Sequence, residues 1–287
     1  MENNVEIHID DQFLLELTKL IKVDFDLYAD VVRSLNKANR IIYSNKKLTK
    51  QDLTNNPLFG LIKKLIDGSK LVIDNLDSIE TTILDSEKLF QYYFLNGLQL
   101  KNKPSKFGKI QIKTSELEKN DFLFNTKSQI ANTENFDISN HLSKLKHNHN
   151  SIIICDPYFF EKFEQSMKVV SCFINSSNKE YELSIFATDI KGVNRYQKKI
   201  TTDFRNLNVT IYDCNVNDLH DRFIITNYMY ISFSNSIYTY QNLKKQAEIS
   251  YSGLLSENQN VMFDRIENLK NINYDGYSGN ENNRLLK

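Results

Sequence analysis

Between residues 10 and 35 the apolar side chains Phe13, Leu14, Leu17, Leu20, Ile21, Phe25, Tyr28, Val31, Val32 and Leu35 recur every three or four positions. That spacing predicts one long amphipathic helix, or two with a break. A second helix is expected from Pro57 through Leu58, Leu61, Ile62, Leu65 and Ile66 to Gly68, because proline suits a first helical turn and glycine a helix end. A third is expected over 86–96, while 70–73 and 79–84 fit strands and helix continuations equally. Residues 101–108, with Pro104 and Gly108, form a turn-rich lead into a short strand carrying Ile110 and Ile112. Residues 125–150 are polar and rich in Asn, Ser and His, and a domain boundary is expected there.

Beyond residue 150 the rhythm changes. Ser151–Cys155 is a continuous apolar run ending at Asp156-Pro157, as in a buried central strand whose end opens into a loop. A helix over 160–173, a strand over 183–187, a helix over 193–206 and a strand over 209–212 follow. Strands alternating with helices predict a parallel sheet covered on its faces. Two further apolar runs, 222–226 and 230–233, are parted by Asn227 and Tyr228 as in a hairpin. The last dozen residues, 276–287, are expected to fray.

The chain has 287 residues and zero formal net charge, so no bulk field draws it to nucleic acid or an anionic membrane, and any phosphate contact must be local. The three cysteines are isolated, which points to a reducing compartment, and no apolar run approaches the roughly 20 residues of a membrane span. A cytoplasmic protein is expected. His141, His147 and His149 include a His-x-His, but no cysteine or carboxylate stands at suitable local spacing. A solvated linker is the reading there, with neither metal nor cofactor assigned.

The residues that could carry chemistry lie near the predicted hairpin. On a strand, His220, Arg222 and Ile224 would share one face, setting an imidazole beside a guanidinium. Arginine offers a planar fork of donors to phosphate, and a neutral imidazole can attack phosphorus or move a proton. The turn Ser234-Asn235-Ser236 adds hydroxyl, amide and backbone donors.

This arrangement resembles the phospholipase-D-like family, whose half-domain carries His-x-Lys-x4-Asp and then Gly-Ser-x-Asn. Here His220 is followed by Arg222 at the Lys position, Asn227 at the Asp position, and Ser234-Asn235-Ser236-Ile237 where Gly-Ser-x-Asn falls. Asp156-Pro157-Tyr158-Phe159 matches the sequence that often closes the family's opening strand. The resemblance implies an α/β half-domain with a mixed sheet over 141–275, a mainly helical domain over 1–140, and a tail over 276–287. It implies a phosphodiester site with His220 as nucleophile or acid-base group, Arg222 as clamp, and Ser234 and Asn235 as supporting donors. Asn227 supplies no carboxylate to orient the imidazole, so Asp156, Asp218 or Glu248 would have to substitute. One motif per chain implies a homodimer if the chain is catalytic. Nucleic acid is then favoured over lipid, since nothing suggests membrane docking, and a role in prokaryotic antiviral defence or nucleic-acid processing follows from the family's behaviour. The alternative is an inactive domain that binds partner proteins, with the helical half as the docking element.

Overall fold

The computed structural model describes residues 5–44, 60, 71–74, 90–96, 110–131, 137–143, 149–174, 181–241, 243, 245–280 and 283–286. The chain divides into two units, Met1–Asn125 with Leu255–Glu257, and Thr126–Leu254 with Asn258–Lys287. The whole is of the α/β class, as expected.

The first unit runs β1 (Val5–Asp10), α1 (Asp11–Val23), α2 (Phe25–Leu35), β2 (Arg40–Ser44), β3 (Leu71–Asp74), β4 (Phe90–Phe94) and β5 (Ile110–Ile112). Its strands form one sheet in the order β3-β2-β1-β4-β5, and every pairing is parallel. Among the described residues this half is therefore not mainly helical, contrary to the sequence expectation. Residues 90–94, expected in a helix, are strand β4: Tyr92, Tyr93 and Phe94 are fully buried, and aromatic residues suit a packed pleated surface.

Strand β1 escaped the pattern because Glu6 and His8 alternate with Val5, Ile7 and Ile9, so it reads as a polar start. All five are fully buried. A parallel strand covered on both faces must satisfy its polar groups internally. His8 Nε2 meets the Glu6 carboxylate at 2.8 Å, Arg40 meets its other oxygen at 3.4 Å, and the His8 ring stacks on Tyr93 at 4.5 Å between centroids. The long helical pattern resolves into two helices because Asp24 breaks it. Its side chain accepts from the Leu27 N–H at 3.0 Å to cap α2, while Asp10 caps α1 by accepting from Phe13 N–H at 2.7 Å. The segments expected as a helix over 57–68 (apart from Gly60), as strand or helix over 79–84 and as a turn over 101–108 lie outside the described residues.

The second unit contains β6 (Thr126–Ala131), α3 (Ile138–Ser143), β7 (Ser151–Cys155), α4 (Phe163–Ser171), β8 (Tyr181–Thr188), α5 (Val193–Asp203), β9 (Leu207–Cys214), β10 (Phe223–Thr226), β11 (Met229–Phe233), β12 (Ala247–Gly253), α6 (Gln259–Lys270) and β13 (Tyr274–Ser278). Eight strands make one mixed sheet, ordered β13-β9-β8-β7-β10-β11-β12-β6. Strands β7, β8 and β9 are parallel and the remaining pairings antiparallel. The five strands read from the sequence are neighbours, as predicted. Their apolar runs fill the core: Ile152, Ile153, Ile154, Ile185, Ile211, Ile224, Ile225 and Ile231 are all fully buried.

The described residues of the expected frayed tail, 276–280 and 283–286, are tied to the sheet. β13 pairs with β9, Asn283 Nδ2 donates to the Ile152 carbonyl at 3.0 Å, and Arg284 Nε meets the Glu182 carboxylate at 3.1 Å. Gly279, at φ +113°, has to be glycine, since a Cβ there would run into the Val209 carbonyl. The cysteines are free, and no described helix is long and apolar enough to cross a membrane.

Candidate functional site

The chain passes from β7 outward through β8 to β9 and then returns on the other side of β7 as β10. Ligands of open α/β sheets gather outside the carboxyl ends of the strands at such a reversal. Because β10 runs antiparallel to β7, its first residue Phe223 pairs with Cys155, the last of β7. Asp156 and Arg222 thus emerge at the same sheet end. Strand β11 finishes there too, since the Phe233 N–H donates to the Arg222 carbonyl at 2.9 Å and Ser234 follows.

His220 and Asp221 precede β10 in a loop, as does Arg222, whereas the sequence put all three on the strand. The loop is held by side chains that the sequence reading did not weigh. The Cys155 thiol donates to the Asp221 carbonyl at 3.3 Å, and Arg265 of α6 pairs with the Asp221 carboxylate and bonds Tyr230. His220 is exposed, and no described residue hydrogen-bonds its ring. Arg222 is half-buried. Its guanidinium lies 5.5 Å from the Tyr158 ring centroid and donates to the His220 carbonyl at 3.5 Å, while its Nε is buried without a hydrogen-bond partner among the described residues.

Asp156 is the buried charge of the site, at 0 % exposure. One carboxylate oxygen accepts from the Tyr158 N–H at 3.0 Å and the other from the Ile237 N–H at 2.7 Å. Burial pushes its carboxyl above the usual range, opposed by those two bonds, by the nearby Arg222 cation and by Ser236. Its structural effect is to hold the 234–237 turn over the end of β7. Ser234 is fixed from the other side: its Oγ accepts from the Glu248 N–H at 2.8 Å, and its N–H donates to the Glu248 carbonyl at 3.1 Å. Tyr240 adds its hydroxyl, which donates to the same carbonyl at 2.6 Å. Asn235 stays exposed.

Two residues from the sequence reading play other parts. Asn227 lies in the β10–β11 turn at the opposite end of β10, where its Oδ1 accepts from the Asn150 N–H at 3.0 Å and the Ser151 N–H at 2.9 Å. It is fully buried and holds the start of β7, away from His220. Glu248 takes part through its backbone, and its exposed side chain accepts from Ser250 at 3.4 Å. No described carboxylate, Asp218 included, contacts the His220 ring.

No group of three His, Cys, Asp or Glu side chains among the described residues could hold a metal ion. His149 is buried edge-on to Phe173 and Tyr181, His141 packs against Tyr251, and His147 lies outside the described residues. Beside the 234–237 turn an open pocket of about 500 Å³ has walls that include Lys162, Asn235 and Lys245.

No family model matches the sequence, and no curated protein matches it. Among solved structures, the chain is similar to TrmBL2, an archaeal chromatin protein with a novel mode of DNA binding, at 9 % identity over 51 % of this chain and 53 % of that one, with a TM-score of 0.30. It is similar also to NucT from Helicobacter pylori, at 11 % identity over 50 % of this chain and 94 % of that one, TM-score 0.33. Marinitoga piezophila Argonaute in complex with 5′-OH guide RNA and target DNA matches at 10 % identity over 88 % and 45 % of the two chains, TM-score 0.20. The chain spans about half the length of TrmBL2. Similarities at this level assign neither a family nor an activity.

Proposed function

We propose that the second unit holds a phosphodiester at the sheet end where Arg222 and His220 stand, with nucleic acid as the substrate class. The observation that carries the reading is Arg222: a cation held against Tyr158, with a buried Nε donor unused by any described residue. An unpaired buried donor costs about 1–3 kcal/mol, and an anion with an acceptor oxygen relieves that cost. Asp156, buried beneath the 234–237 turn that it bonds, does not take that place: its carboxylate forms no hydrogen bond with Arg222 Nε. His220, exposed and bonded to Arg222 through its carbonyl, would bring its imidazole to the same phosphate.

Hydrolysis is the finer form of this proposal. Attack by the His220 nitrogen forms a P–N bond as the P–O ester bond breaks, and the leaving oxygen needs a proton. With one such histidine in the chain, a second copy would supply that proton donor, and water would then attack phosphorus as the P–N bond breaks and His220 is freed. Asn227 favours a second reading, binding without turnover, because it is committed to Asn150 and Ser151 and leaves the imidazole without an orienting carboxylate. In that form the domain is an anion-holding interaction module, with a partner protein docked by the first unit.

Cleavage of single-stranded and duplex DNA, RNA and a generic phosphodiester by the full chain tests both. Turnover abolished in His220→Ala, with a folded variant, supports the hydrolytic form. Binding that needs Arg222 without cleavage supports the second, and binding indifferent to Arg222→Ala overturns both.

A further inference from the structure

The pocket beside the 234–237 turn is walled by the two segments that frame the proposed phosphate site, the loop that leaves Asp156 and the turn that leaves β11. Lys162 and Lys245 both face it, and neither forms an ion pair with a described residue. Two ammonium groups lining one concavity repel each other unless an anion lies between them. The pocket is not merely a cation trap. Leu243, the Tyr238 ring and the lysine stems give it apolar walls, while Gln165 and Asn235 add amide donors and acceptors. Its volume, about 500 Å³, falls in the range of small-ligand sites and admits a nucleotide.

A second concavity of about 350 Å³ shares Lys162 and Gln165 with the first. It adds the half-buried rings of Phe160 and Tyr196, whose centroids lie 4.7 Å apart, and Arg195, which has no ion-pair partner among the described residues. Of the acids on this face, Glu164 is paired with Lys199, while Glu161 accepts from the Tyr238 hydroxyl at 3.2 Å and keeps its charge. Cations and partly exposed aromatic rings lining adjoining hollows suit a chain of unstacked nucleotides, because phosphates meet the cations and bases meet the rings. Duplex bases are stacked on one another and cannot enter such hollows.

We infer that these joined pockets form a subsite for single-stranded nucleic acid, receiving the nucleotides that flank the phosphodiester held at Arg222; the inference rests on that reading of the Arg222 site. The phosphate backbone lies across Lys162 and Lys245, and one base packs on Tyr238.

The test is fluorescence anisotropy of the full chain with labelled 12-nucleotide oligothymidylate and oligouridylate and a 12-base-pair duplex, across salt concentrations. The Lys162→Gln, Lys245→Gln double variant is expected to bind single strands at least tenfold more weakly. Its plot of log affinity against log salt should be shallower by about 1.4, for two lost phosphate contacts. Tyr238→Ala should weaken binding about fivefold or more with the slope unchanged, and Lys119→Gln, an exposed lysine of the first unit, should change nothing. Circular dichroism confirms that each variant is folded.

Unchanged affinity in the double variant overturns the subsite, as does duplex bound as tightly as single strand. Arg222→Ala separates the two proposals. Loss there with none in the double variant removes the subsite alone, whereas loss in the double variant with none in Arg222→Ala keeps the pocket and removes the reading beneath it. If no oligonucleotide binds wild type, both fall.

Discussion

Replacing Asp156 by Asn changes the charge and donor pattern of the site without changing its size. Both carboxylate oxygens accept backbone N–H groups, from Tyr158 at 3.0 Å and Ile237 at 2.7 Å. An amide has one acceptor, so one N–H must face an NH2 group in a region with no access to water. Leaving one buried donor unmet costs about 1–3 kcal/mol, and about 2 kcal/mol is expected here. For a unit of this size that lowers the melting temperature by about 4–8 °C.

The loss should vary with pH. The folded-state pKa of Asp156 is raised above its unfolded value of 3.8, chiefly by burial. A raised acid contributes stability that is present below the unfolded pKa and lost as pH rises through the folded pKa. The gap between wild type and Asp156→Asn should therefore be widest below pH 3.8 and narrow as pH rises through the folded pKa. Melting curves followed by circular dichroism at a series of pH values measure it. A change under about 1 °C at every pH, or a gap that widens as pH rises, would refute the role given to this carboxylate.

Asn227→Ala should cost about 2–4 kcal/mol, because the Asn150 and Ser151 N–H groups lose their acceptor, and Asn227→Asp should recover most of it; denaturant midpoints check both. In a cleaving preparation, Arg222→Ala should slow turnover about a hundredfold, the worth of one lost donor of about 3 kcal/mol, and Arg222→Lys should keep part of the rate. Burial pushes the Cys155 thiol well up, and the Cys214 thiol up to about 12. Iodoacetamide at pH 8 should thus alkylate Cys172 alone in the native protein, with mass spectrometry locating the adduct.

The second unit was legible because its central strands are covered on both faces, which leaves uninterrupted apolar runs such as Ser151–Cys155. The helix pair at residues 11–35 was legible from its periodicity. The first unit's sheet was not, and the cause is visible at β1: a buried Glu6-His8 pair, with Arg40 from β2 bonded to Glu6 and Tyr93 from β4 stacked on His8, imitates a solvated segment. In β4, Phe90–Phe94 is too short for periodicity to separate strand from helix. At the site, motif spacing grouped Asn227 with His220 and Arg222, whereas the fold sets Asn227 at the other end of β10. Spacing along the chain does not reveal that β10 carries it to the far end of the sheet. Arg265 and Tyr240 left no local signal, since each acts across elements that only the fold brings together.

In the proposed site the Arg222 guanidinium and the His220 ring face one bound phosphodiester. A crystal structure of the full chain grown with tungstate, whose heavy atom marks the anion, tests it most directly. A tungsten peak is expected with its oxygens within hydrogen-bond distance of Arg222 Nε and facing His220, and no such peak in Arg222→Ala. A wild-type crystal in which a protein carboxylate occupies Arg222 Nε, or in which tungstate binds elsewhere and leaves that sheet end empty, would contradict it.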